Sequence, residues 1–199
     1  MAILTFPSIV PDTIDFGIKY NTQVSSSDIS GMTQRVELPG ARWGGVLNFV
    51  NMEPEDSAAL KAFLLRLRGS SGSFFYGDIS HSSPFNTVTG SLTIESVSTP
   101  STIRVTTSSG SFSAGDYIQI GADDERELKM IVSSTNISGT TYDLTIEPII
   151  RRTDYIGLSV VYTNPRGVFF LVSDDQARWA TRGKAYLSDI TVEFVELFL

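Results

Sequence analysis

Only one segment of this chain has the pattern of an α-helix, and this restricts the possible folds more than any other feature of the sequence. Pro54 suits a first helical turn, because its missing N–H has no partner there, and Glu55 and Asp56 follow at the positive end of the helix dipole. Apolar residues recur on one helical face until Gly69 ends the pattern. The pattern predicts a helix over residues 54–68, with a core face formed by Leu60, Phe63, Leu64 and Leu67.

Strand and turn patterns account for the rest of the chain. Apolar and polar residues alternate over residues 14–24 and again over 185–199, which is typical of strands with one buried face. A helix with a single apolar face needs a surface to cover, and here that surface is the face of a β-sheet. Two hairpins are also predicted, one from runs 33–38 and 43–50 joined through Pro39-Gly40, the other from runs 157–163 and 168–173 joined through residues 164–167.

The middle of the chain, from about residue 80, is rich in Ser, Thr and Gly. Short β-patterned runs follow one another at the spacing expected of a small barrel or sandwich, and they cover residues 92–97, 103–107, 117–121, 127–134 and 142–148. The predicted fold is therefore mainly β. Residues 1–79 and 151–199 form a β-sandwich with the flanking helix, and residues 80–150 form an inserted small β-barrel or β-sandwich domain. We expect replacement of residues 82–149 by a short linker to leave a soluble protein.

Composition excludes several classes of protein. The 199 residues are 41% apolar, which suits a globular protein with a core, and they include no cysteine, so disulfide scaffolds and thiolate metal sites are excluded. The net charge of −7 argues against a protein that grips nucleic acid by neutralising phosphates. No apolar run approaches the roughly 20 residues that span a bilayer, so we expect no membrane association and synthesis in the cytosol.

Residues suited to catalysis or metal binding are sparse. His81 is the only histidine, and its Ser-rich surroundings predict a plain surface residue. The tip Asp123-Asp124-Glu125 lacks the ligand spacing of a calcium loop, which favours a solvated turn. There is no Gly-x-Ser-x-Gly elbow and no phosphate-binding Gly-rich loop. We therefore predict a protein that is not an enzyme, with no catalytic residue, metal or cofactor. Trp43 begins a patterned strand and is predicted to lie in the core.

Several short blocks resemble tail-tip proteins of long-tailed bacteriophages. In chain order these are LPGARW at 38–43, EPED at 53–56, AFLLRLRG at 62–69, GSFF at 72–75, AGDYIQIG at 114–121 and EPIIR at 147–151. The resemblance implies a distal tail protein with a fold similar to that of tail-tube proteins. Such a subunit forms a ring, a hexamer by preference or a trimer, between the tail tube and the hub proteins of the tip or baseplate.

The resemblance further implies a virion location, with DNA passing through the ring without specific binding. Two alternatives remain open: a carbohydrate- or receptor-binding accessory module of the tail tip, with the middle block as binder, and a tail-tube or tail-terminator subunit. An acidic or neutral channel wall would let DNA slide. Candidate residues for the lumen are Glu37, Asp189 and Glu193, which alternate with apolar positions and should point away from the core. Arg151 and Arg152, where the middle block rejoins the ends, are candidates for orienting the two domains or for contacting an acidic neighbour.

Overall fold

A computed structural model of the chain describes residues 3–151, 154–183 and 187–198. These described residues contain thirteen strands and one α-helix, α1 (Pro54–Leu67). The strands outside the middle of the chain are β1 (Leu4–Thr5), β2 (Thr13–Ser26), β3 (Thr33–Met52), β4 (Ser73–Tyr76), β11 (Gly167–Leu171), β12 (Ala180–Arg182) and β13 (Leu187–Glu196). The strands of the middle are β5 (Leu92–Thr99), β6 (Thr102–Thr106), β7 (Tyr117–Ile120), β8 (Glu127–Ser138), β9 (Thr141–Glu147) and β10 (Ser159–Val161).

The strands from the two ends of the chain form one sheet. Its order is β1-β4-β11-β13-β3-β2, and β12 pairs with β13 beside this path. Phe16 on β2 and Tyr76 on β4 have ring centroids 6.0 Å apart, although four strand spacings of about 4.8 Å separate them in a flat sheet. The sheet therefore curls and encloses its own core. The prediction of a mainly β fold is confirmed, but one curled sheet replaces the two stacked sheets of a sandwich.

Helix α1 covers part of the concave, buried face of this sheet. All four predicted core-face residues are buried, and Phe63 contacts Phe6 and Phe74 edge-on. Leu65 lies on the opposite side and is exposed. The helix ends at Arg68, which adopts the left-handed conformation. Gly69 follows with φ of +70°, and a Cβ there would lie 2.5 Å from Oδ1 of Asp174, so glycine is required at this end.

The middle strands close into a barrel in the order β10-β5-β6-β9-β8-β7. Each of the five predicted runs contains or overlaps one of its strands. The sixth strand, β10, corrects the predicted boundary at residue 150. Val160 pairs with Leu92 of β5 and with Ile120 of β7, so the run at 157–163 closes the barrel and does not pair with β11. Closure removes two strand edges at once, which a local hairpin would not do.

The other predicted hairpin is also wrong. Residues 33–52 form the single strand β3, and its hairpin partner is β2, with the chain reversal in the Ser-rich segment between them. Pro39 and Gly40 form a bulge inside β3: Lys19 pairs with Arg42, yet two residues further along β2, Asn21 pairs with Leu38. Gly40 has φ of +120°, which lets β3 accommodate its extra residues at this point. Within the described residues, no helix is both long and apolar enough to cross a membrane.

Candidate assembly surface

Beyond the Pro39–Gly40 bulge, β2 and β3 continue as a two-stranded arm, defined here as residues 20–38. Its ladder pairs Asn21 with Leu38 and ends where Ser26 pairs with Thr33. Among the described residues, every residue of the arm is exposed. The chain reversal at its tip is ordered by hydrogen bonds from Gly31 N to Ser27 O (2.9 Å) and from Ser27 N to Met32 O (3.0 Å).

The arm is rich in apolar side chains for a solvated element. Ile29 at the tip is 100% exposed and Met32 is 74% exposed. The remaining exposed apolar side chains of the arm are those of Tyr20, Val24, Val36 and Leu38. An isolated two-stranded hairpin is marginally stable in water, and contiguous exposed apolar surface is typical of an interaction site. The arm thus has the character of an element that is covered by another molecule.

The two faces of the arm differ in chemistry. Paired residues share a face, so Leu38 lies beside Asn21 and Val36 lies beside Gln23, which makes one face uncharged. On the other face Val24 lies beside Arg35, and Thr22 beside Glu37. Each face thus carries apolar side chains, and the two faces differ in whether they also carry charge.

The sheet also leaves a long strand edge unpaired. Strand β2, with fourteen residues, is the last strand of the sheet, and within the described part of the chain it pairs on one side only, with β3. The opposite edge is the two-residue strand β1. A long free edge is a template for pairing with another chain, and proteins usually shorten or cover such edges.

The convex face of the sheet continues from the base of the arm as a groove of about 690 Å³. Gly17 pairs with Gly44 on this face, and neither residue has a side chain to fill it. Among the residues that line the groove, charges of both signs are present in equal number: Asp15 and Glu193, Lys19 and Arg42.

The predicted lumen residues do not cluster. Glu37 is exposed on the arm, whereas Asp189 and Glu193 point outward from β13, as their alternation predicts. Asp189 accepts hydrogen bonds from Asn51 N (2.8 Å) and Arg182 Nη2 (3.1 Å). The Asn51 bond, followed by Arg182, lowers the pKa of Asp189, so its charge is already partly compensated within the chain.

Arg151 lies between the barrel and the sheet. Its guanidinium donates to Glu196 Oε2 (3.2 Å) and to the carbonyl oxygen of Ala41. Glu196, 2% exposed, also accepts from Trp43 N (3.1 Å), and the indole Nε1 of Trp43 donates to Leu128 O (2.9 Å) on the barrel. Arg151 thus contacts both units, and its orienting role stays a prediction. Trp43 is buried, which confirms its predicted place in the core. Arg152 lies outside the described residues.

Three ionisable residues behind Arg151 were missed by sequence reasoning. Lys129 is fully buried, its Nζ lies 2.6 Å from Glu127 Oε2, and it donates to Ile149 O (3.1 Å). Burial raises the pKa of Glu196 and lowers that of Lys129, and each shift is partly offset by neighbours of opposite charge. Glu196 is the last residue on the buried face of the alternating strand β13. A carboxylate at a position where the alternation predicts an apolar residue was the sequence signal for this buried charge.

His81 is not the plain surface residue that its Ser-rich surroundings suggest. Its ring, 15% exposed, lies with Nε2 3.2 Å from Oδ1 of Asp116, which is fully buried. Asp116 also accepts hydrogen bonds from Phe85 N (2.9 Å) and Ser113 N (2.7 Å). It therefore connects the segment between sheet and barrel, which contains Phe85, to the barrel. In the described part of the chain no group of three or more His, Asp or Glu side chains is arranged to hold a metal ion.

Comparisons with known proteins add no family assignment. No model of a known protein family matches the sequence, and neither does any curated protein.

Proposed function

We propose that this chain is a structural subunit that assembles with copies of itself through the arm and the free β2 edge. The supporting observation is the arm itself: a two-stranded projection with exposed apolar side chains at its tip and on both of its faces. Burying such side chains contributes roughly 25 cal/mol per Å² of apolar surface, which favours association. Head-to-tail contacts between the arm of one copy and a different surface of the next would close into a ring, whereas pairing of β2 with β2 would give a two-fold dimer.

We further propose that the ring belongs to the tail tip of a long-tailed bacteriophage, as a distal tail protein with a tail-tube-like sheet. This rests on the sequence blocks that resemble such proteins together with the sheet, single helix and inserted barrel. The tail tube and the tip hub are then the axial neighbours, and DNA passes through the centre. An acidic or neutral lumen stays a prediction, and the balanced charges of the groove favour a neutral wall over a cationic one.

Native mass spectrometry over a range of protein concentrations tests the assembly proposal. We expect a hexamer or a trimer in the wild-type protein, and its loss when Val24 and Val36 are both replaced by Ser. The matched control is Ile137→Ser, which removes an exposed β-branched residue from the barrel and should leave the oligomer intact. A protein that is monomeric at every concentration, or an oligomer unaffected by the arm variant, would contradict the proposal. Proteomic detection in purified phage tails tests the location.

The barrel offers one observation in favour of the second candidate, a carbohydrate-binding module. Phe85 is 69% exposed, yet its backbone is fixed by buried Asp116 and its ring contacts that of His81 at 4.2 Å. An exposed aromatic ring whose position is fixed can stack against the apolar face of a sugar. Glycan-array binding by the wild-type protein that disappears in Phe85→Ser would support this function, and absence of binding would remove its basis.

A further inference from the structure

The barrel makes contact with the sheet at the point where the arm begins. Arg151 leaves the barrel after β9 and donates to Ala41 O, one residue from the Pro39–Gly40 bulge. Arg42, the next residue, is part of the last pair before the ladder shifts register. A contact on this backbone constrains the angle at which β3 enters the arm, because bulges are the places where strands bend.

The segment after β13 closes over the same contact. The guanidinium carbon of Arg151 lies 3.3 Å from the centroid of the Phe198 ring, and that of Arg42 lies 4.4 Å from it. One arginine comes from the barrel side and the other from the base of the arm, so the ring of Phe198 bridges the two units. Such cation–π contacts gain strength where the groups are partly removed from water.

Arg151 is itself held in place by barrel residues. Its backbone N–H donates to the hydroxyl of Tyr155 (3.3 Å), and that hydroxyl donates in turn to Glu127. Lys129 lies against the same carboxylate. Since its backbone and its guanidinium are both engaged, Arg151 connects the barrel rigidly to Ala41 and Glu196.

From this geometry we propose that the joint formed by Arg151, Glu196, Phe198 and the backbone of Ala41 fixes the direction in which the arm leaves the subunit. The barrel thereby acts as a positioning element for the arm. The consequence for assembly rests on the proposed function, whereas the direction of the arm is a property of the single subunit.

Distance measurement between spin labels tests the joint within one subunit. The chain has no native cysteine, so Ile29→Cys at the arm tip and Val132→Cys on the barrel provide a unique pair of label sites, both exposed. Dilution with unlabelled protein removes distances between subunits. We expect one narrow distribution in the otherwise native protein and loss of that narrow peak in Arg151→Met, which keeps the apolar stem but removes the guanidinium.

The matched control is Arg178→Met, which removes an arginine whose only described ion pair, with Asp175, is exposed; it should leave the narrow peak unchanged. If Arg151→Met does not fold, Phe198→Leu replaces it, because this variant keeps an apolar side chain but loses both ring contacts; we expect the same loss of the narrow peak. An unchanged peak in the folded variant would overturn the proposal and assign arm direction to the β2–β3 ladder alone. A monomeric protein still gives this result, so failure of the ring proposal remains distinguishable.

Discussion

The barrel and the curled sheet differ in whether their strand edges are paired. Every barrel strand pairs on both sides, so closure leaves no edge for another chain. The sheet, in contrast, ends in the fourteen-residue strand β2 and extends part of it into the solvent as the arm. Both regions are built from similar short β patterns. Association therefore depends on which edges remain unpaired, and that is a property of topology that composition does not reveal.

The same two regions are not independent in their cores. The buried cluster of the sheet includes Tyr117 and Leu128 of the barrel, and Trp43 contacts Tyr117 with ring centroids 5.5 Å apart. The barrel therefore contributes side chains to the core of the sheet, while closure pairs the edges of its own strands. The sheet therefore needs the barrel, whereas the fold does not need the arm.

Removal of the barrel should have the largest effect. Replacing residues 82–163 with a Gly/Ser linker exposes the apolar surface of Trp43 and removes Arg151, the ion-pair partner of Glu196. We expect an aggregated or unfolded product, contrary to the soluble product expected from the sequence. The control replaces arm residues 22–37 by a two-residue turn and should stay folded. Soluble yield and far-ultraviolet circular dichroism of both proteins measure this, and a folded barrel-less protein would show that the sheet core is self-sufficient.

Truncation inside the core should come next. Phe63→Ala removes a buried ring that packs between Phe6 and Phe74, and we expect a loss of roughly 3–5 kcal/mol in the free energy of unfolding. Leu65→Ala on the exposed side of α1 is the control and should change it by under about 1 kcal/mol. Denaturant unfolding followed by tryptophan fluorescence measures both. Similar effects for the two variants would mean that α1 does not cover the sheet.

Local patterns predicted the elements well because the forces that define them act over a few residues. The helix from Pro54 and the barrel runs follow from caps, turns and alternation within each segment. The two wrong hairpins involve long-range choices. A Pro-Gly pair suits a tight turn and a bulge equally, and Val160 pairs with strands some 40 and 70 residues away. Nothing local distinguishes those partners from β11.

The joint was foreseen only in part for the same reason. Arg151 attracted notice because it stands where the composition changes, but its partners Glu196 and Ala41 are distant in sequence. The arm escaped notice because exposed and buried strands share the same alternation. Exposure of Val24 and Val36 depends on whether distant parts of the chain pack against them, and this is known only from the folded structure.

The buried charges of the joint give a pH-dependent prediction of intermediate size. Burial raises the pKa of Glu196 in the folded state, partly offset by Arg151, so the folded protein holds this proton more tightly than the unfolded chain does. Its contribution to stability is present at low pH and is lost as pH rises from about 4.3, the unfolded-state value, through the raised folded-state value. Glu196→Gln should flatten the stability profile in that window. Urea unfolding at a series of pH values, with Glu193→Gln as an exposed control, measures this; equal slopes in wild type and Glu196→Gln would contradict it.

The smallest effect should come from the arm. Val24→Ser with Val36→Ser changes side chains that are 61% and 45% exposed in the subunit, so the free energy of unfolding of the monomer should change by less than about 0.5 kcal/mol. The measurement needs protein dilute enough to be monomeric, because association adds its own free energy to apparent stability. At higher concentration the wild type should gain stability and the variant should not. A destabilised monomer would mean that the arm packs on the body of the subunit, and the contrast between a needed barrel and a dispensable arm would then fail.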